Sequence, residues 1–103
     1  MNSQQSTSIG IPISVSSGST TLVAAVAGFK IVVMHYAAIG TATETITFKS
    51  NATALTGAMP FVANGGIFAA FEKGLFETAA GEPLVITVSA GTAVGHLSYE
   101  LQK

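Results

Sequence analysis

At 103 residues the chain has the length of one domain. Four Lys, no Arg, five Glu and no Asp give a net charge of -1 and a charged share of 9%, against roughly 25% in an ordinary soluble domain; nothing is basic enough to neutralise phosphates, so nucleic acid is not an expected partner. With no Cys there is no disulfide framework, thiolate metal site or thiol nucleophile.

Residues 1 to 8 are polar and aperiodic and read as a flexible or partner-ordered N-terminal arm, ahead of a single β-sandwich domain at residues 9 to 103. Ile9, Ile11, Ile13 and Val15 then alternate with Gly10, Pro12, Ser14 and Ser16, the pattern of a half-buried strand. Pro12 has no N–H for a ladder, which places this strand at a sheet margin. Ser17-Gly18-Ser19 reads as a turn, followed by a second strand from Thr20 to Val26.

Gly28 leads into Lys30-Ile-Val-Val-Met-His-Tyr-Ala-Ala-Ile39, read as the central strand and closed by Gly40. Strict alternation puts Ile31, Val33, His35, Ala37 and Ile39 on one face and Val32, Met34, Tyr36 and Ala38 on the other. Both faces are mainly apolar, so the strand calls for cover on each side: a second sheet on one, and a loop, an arm or another subunit on the other.

Glu44, Ile46, Phe48 and Ser50 alternate with Thr43, Thr45, Thr47 and Lys49, which predicts a strand with Ile46 and Phe48 inward and the Thr/Lys row toward water. After a stop at Ser50-Asn51, a short extended segment covers Ala52 to Leu55. Phe61-Val62 and Ile67–Phe71 flank Asn64-Gly65-Gly66, where positive φ is easily reached, and read as a hairpin. Leu75–Thr78 is extended, Ala79 to Pro83 a turn, and Leu84–Ser89 a further strand that Gly91 breaks. A last strand opens at Val94 or Gly95, with Leu97, Tyr99 and Leu101 opposing His96, Ser98, Glu100 and Gln102.

About eight short strands, with turn signals every 8 to 12 residues and no convincing helix, predict an all-β fold, an eight-stranded antiparallel β-sandwich of jelly-roll-like type. A folded monomer of this size exposes roughly 5,400 Å², and nine charges cover that thinly. Some of the surface is therefore expected to be occupied by copies of the chain or by a larger assembly. Apolar runs reach only about ten residues, too short to span a bilayer, and the N-terminus lacks the regions of a signal peptide, so a membrane partner is not expected and synthesis is expected in a cytoplasm.

No residue pattern carries a catalytic or cofactor signature. His35 and His96 are the only histidines, too few for a zinc site of three or four ligands when Cys and Asp are absent; they read as a core or interface His35 and a solvated His96. The serines lack a Gly-x-Ser-x-Gly elbow. Glu72, Glu77 and Glu82 near turns would suit paired acid–base work or calcium, but read first as solubilising charges. Asn64-Gly65-Gly66 is followed by no Lys-Ser/Thr and is a turn, not a phosphate loop; Asn51-Ala52-Thr53 matches a glycosylation sequon. The eight aromatics are expected in core and subunit packing rather than on a sugar platform.

At Phe61-Val-Ala-Asn-Gly-Gly66, Gly74-Leu-Phe-Glu-Thr-Ala-Ala-Gly-Glu-Pro-Leu84, Ile86-Thr-Val-Ser89 and Val94-Gly-His-Leu-Ser-Tyr99, with Gly18-Ser-Thr-Thr-Leu-Val-Ala-Ala-Val26, the sequence resembles small proteins encoded among the structural genes of tailed bacteriophages and prophages. The resemblance covers most of the chain and consists of strand and turn patterns. It implies a non-enzymatic virion component without cofactor, a capsid decoration (cement) protein assembled as a homotrimer on the major capsid protein at the capsid surface. On that reading Val32, Met34 and Tyr36, or the opposite face of their strand, form the subunit contact, and Asn2, Ser3, Gln4 and Gln5 belong to the arm that grips the shell. The alternative is a tail-fibre or tail-tip module that recognises a cell-surface glycan, with Tyr99 and Glu77 as contacts; a small hydrolase using Glu72 or Glu82 stands third.

Overall fold

A computed structural model describes residues 8–103 and is all-β. Eight antiparallel strands form one hydrogen-bonded network: β1 (Ile9–Val23), β2 (Lys30–Gly40), β3 (Glu44–Ser50), β4 (Thr53–Ala54), β5 (Met59–Phe61), β6 (Gly66–Ala70), β7 (Phe76–Glu77) and β8 (Leu84–Gln102). Asn2, Ser3, Gln4 and Gln5 lie outside the described residues.

The hub is β8, not the strand at residues 30 to 39 that the sequence marks as central. One edge of β8 pairs along almost its whole length with β1, while its other edge is shared, β3 against residues 84 to 88 and β2 against residues 93 to 102. β2 in turn carries β6 and β7 on its far side, and β3 carries β4 and β5. The expected breaks at Ser17-Gly18-Ser19 and Gly91 are not chain reversals. Between the pairs Ser16↔Thr92 and Gly18↔Val88 the register slips, with Gly18 at φ +107 and Gly91 at φ +62. Positive-φ glycines here bend two paired strands instead of ending them, a use of bulges that carries a strand from one packed layer into the other. β1 pairs with β8 alone, as Pro12 requires of an edge.

The bend lets the half built on β3 fold over the half built on β2, and the core lies between them. β3 has the alternation its sequence predicts: Glu44, Ile46, Phe48 and Ser50 buried, Thr45, Thr47 and Lys49 partly exposed. Although β2 and β3 share no ladder, the rings of Tyr36 and Phe48 pack with centroids 4.9 Å apart, and Phe76 completes the cluster at 5.3 Å from Phe48. Burial of each such aromatic contributes roughly 1.5–3 kcal/mol.

On β2 the face assignment differs from strict alternation. Val33 pairs with Tyr99 and His35 with Ser98, so Met34 is an extra residue, a one-residue bulge. Ile31 and Val33 before it, and Tyr36 and Ala38 after it, all point into the core. The two-sided apolar pattern of this strand thus arises largely from a single core face whose phase changes at the bulge. Phe61-Val62 and Ile67–Phe71 also do not form the expected hairpin, since β5 pairs with β3 and β6 with β2. The turn between them is real: Asn64 has φ 65, and the Gly65 N–H donates to the Val62 carbonyl at 2.8 Å.

Candidate functional site

The core-facing residues of β2 are buried; a depression of about 340 Å³ opens between residues 59–62 and 65–67, and the broader exposed surface lies on the outer side of the β2 half. Register fixes that side in rows across four strands: Gly10, Ser98, His35 and Ala70; then Pro12, His96, Ala37 and Phe68; then Ser14, Val94, Ile39 and Gly66. Gly95 holds β2 and β8 at this spacing, because a Cβ there would stand 1.8 Å from the Ala37 carbonyl oxygen. Phe68 is 67% exposed, Phe71 56%, Ile39 46% and Val94 37%. Met34, His35, Phe68, Ala70, Phe71, Glu72, Ser98 and Ser8 surround a shallow open depression of about 530 Å³. Isolated exposed apolar residues need no explanation; a contiguous group on one sheet face does.

Within this face the two histidines meet, 61 residues apart in sequence. His35 lies directly opposite Ser98 and diagonal to His96. Its Nδ1 is 2.5 Å from the buried Ser98 hydroxyl, its Nε2 is 3.2 Å from His96 Nε2, and its ring lies 6.1 Å from that of Phe68. The Ser98–His35 pair does not form the hydroxyl–imidazole–carboxylate relay of a hydrolase, because the second ring nitrogen faces His96 rather than a carboxylate. What the pair does is fix the orientation of the His35 ring.

The other candidate residues are dispersed. Glu77 forms a surface ion pair with Lys30 at 3.0 Å, Glu82 accepts from the Ser50 hydroxyl at 2.5 Å, and Glu72 borders the depression. Each of these carboxylates has separate contacts. Tyr99 packs partly against the core. Val32 and Tyr36 are buried within the single chain: Tyr36 sits in the aromatic cluster, and Val32 is covered by the 71–75 loop, where a Cβ on Gly74 would come 2.6 Å from its Cγ1. Neither has surface to offer a subunit contact, and of the three proposed positions only Met34 keeps partial exposure.

Sequence reasoning missed the His35–His96 meeting because it depends on the register of β2 against β8, which the Met34 bulge shifts. Among the described residues no group of three or more His, Cys, Asp or Glu is placed to hold a metal ion, and no helix is long and apolar enough to cross a membrane. No protein-family model, curated protein or solved structure matches the chain.

Proposed function

We propose that the chain is a non-enzymatic structural protein of a tailed-phage virion, a capsid decoration protein that assembles as a homotrimer, binds the major capsid protein and stabilises the head shell. The observation that carries this reading is the exposed apolar outer face formed by Ile39, Phe68, Phe71 and Val94 on a chain with only nine charged residues. Such a surface is disfavoured in water and favoured against a second protein surface. The subunit contact accordingly moves from Val32 and Tyr36 to this face, with Met34 at its margin. Ser8, the first described residue, borders the same depression and donates its hydroxyl to Glu100 at 3.2 Å, so the segment assigned to shell contact joins the fold beside the proposed contact surface. The strand and turn resemblance to phage structural proteins supplies the virion setting, with synthesis in the host cytoplasm and residence on the capsid surface.

The glycan-binding alternative draws less support, because Glu77 is paired with Lys30 and Tyr99 lies partly against the core. Sedimentation equilibrium of the purified chain at micromolar concentration tests the assembly, the expected mass being three times 10.4 kDa. A clean monomer overturns it. Removal of residues 1 to 8 is expected to leave the oligomer intact and to abolish attachment to undecorated heads; full decoration by the truncated chain overturns the role given to the arm.

A further inference from the structure

We propose that His35 and His96 together chelate a divalent transition-metal ion of the imidazole-preferring class, with Zn²⁺ as the representative, through their two Nε2 atoms. This inference is independent of the virion assignment, since it concerns one chain and needs no partner.

The geometry of the two rings is the deciding observation. Nitrogens bound at about 2.05 Å to one tetrahedral zinc stand about 3.3 Å apart, and rings whose lone pairs converge on the ion then have centroids about 5.2 Å apart. A head-on N–H···N hydrogen bond of the same length would place the centroids about 5.5 Å apart. The observed values are 3.2 Å between the Nε2 atoms and 5.1 Å between centroids. The two nitrogens thus stand at the separation that two imidazoles sharing one tetrahedral ion require.

The surroundings favour the same use. A ligating imidazole keeps its orientation and tautomer through a hydrogen bond at its other nitrogen, and the His35 Nδ1 contact with the buried Ser98 hydroxyl supplies that bond: with Nδ1–H donating to Ser98, the Nε2 lone pair is left for the ion. Both rings project from adjacent paired strands, and the Ser98 contact already fixes the His35 ring, so the first of the two ligands is preorganised. Glu72 borders the depression that His35 also lines and carries the sign that attracts a cation. Imidazole nitrogen selects Zn²⁺, Ni²⁺ and Cu²⁺ over Mg²⁺ and Ca²⁺, which prefer oxygen. Two protein ligands leave the remaining positions to water.

The test is a Zn²⁺ titration of the full-length chain, followed by calorimetry and by the imidazole proton resonances, with Mg²⁺ as the control ion. Saturable binding at one ion per chain, with both histidine spin systems shifting together and no response to Mg²⁺, is the expected result. His96→Gln removes one arm of the chelate from an exposed position, so the fold should survive, as its thermal transition without metal will show; zinc affinity should fall roughly tenfold or more through loss of the intramolecular second contact. Ser98→Ala should retain binding with lower affinity. Unchanged zinc affinity in His96→Gln, or imidazole resonances that ignore millimolar Zn²⁺ in the wild type, overturns the proposal. A chain that stays monomeric yet binds zinc through these residues upholds the metal site while refuting the assembly, so the two readings fail separately.

Discussion

Gly95 on β8 and the carbonyl of Ala37 on β2 approach so closely that a single added methyl would stand 1.8 Å from the carbonyl oxygen. No side-chain rotation relieves a clash between a Cβ and a neighbouring backbone; the strands would have to separate. Gly95 also has φ +154, a backbone conformation that a side chain disfavours. Gly95→Ala is therefore expected to cost about 3 kcal/mol or more and to loosen the β2–β8 ladder. Urea unfolding together with amide exchange of Ala37 and Ala38 checks this, and a variant of unchanged midpoint would refute it.

Thr78 fixes the start of β2 by a buried side-chain bond. Its Oγ1 accepts the Ile31 N–H at 2.9 Å, and its own N–H donates to the Ile31 carbonyl at 3.0 Å. Thr78→Val keeps the shape and deletes the acceptor, leaving a buried N–H unpaired at a cost of about 1–3 kcal/mol. Thr78→Ser keeps the oxygen and should preserve slow exchange of the Ile31 amide, which Thr78→Val should lose. Equal protection in both variants would show that the hydroxyl is dispensable.

How far the sequence discloses this fold depends on whether a signal is local. β3 is legible because its period of two runs unbroken from Glu44 to Ser50, and burial follows it residue by residue. The edge position of β1 is legible from Pro12, since a missing N–H is a local fact. Gly18 and Gly91 announce positive φ, but the same dihedral serves a hairpin turn or a bend in paired strands, and only the partner strand decides between them. The Met34 bulge leaves no mark in composition, yet it moves Tyr36 into the core and His35 to the surface side. The meeting of His35 with His96 was hidden for that reason: its two members belong to strands whose register no local pattern encodes.

Burial raises the Tyr36 phenol above its ordinary value of 10.0. The folded chain therefore binds this proton more tightly than the unfolded one, and the associated stability is complete below the unfolded value of about 10 and is lost as pH rises through the folded one. Tyr36→Phe removes the ionisation together with a weak hydrogen bond to Met59 Sδ at 3.4 Å, and at pH 7 it should lie within about 1 kcal/mol of the wild type. Above about pH 10 the wild type should lose stability relative to Tyr36→Phe. Denaturant midpoints measured in parallel from pH 8 to the alkaline limit isolate the effect, because lysines ionise alike in both chains. Parallel curves would place the phenol in a less buried setting than the aromatic cluster with Phe48.

Phe68 separates the folding of the chain from its association. It sits on the outer side of β6, opposite Ala37, and is 67% exposed, so replacing it removes little from the core. Phe68→Asp should leave the thermal transition of the isolated chain within about 0.5 kcal/mol of the wild type, the usual range for a surface change. In a contact between copies the same substitution buries a charge against Ile39, Val94 and Phe71 of this face or its counterpart, which is strongly unfavourable without a partner of opposite sign. The oligomer should therefore dissociate at least tenfold more readily, seen as a rise in the concentration midpoint by sedimentation. Thr47→Asp, on the partly exposed row of β3 across the fold, should leave that midpoint unchanged. If Phe68→Asp assembles as tightly as the wild type while Thr47→Asp does not, the contact lies on the β3 half.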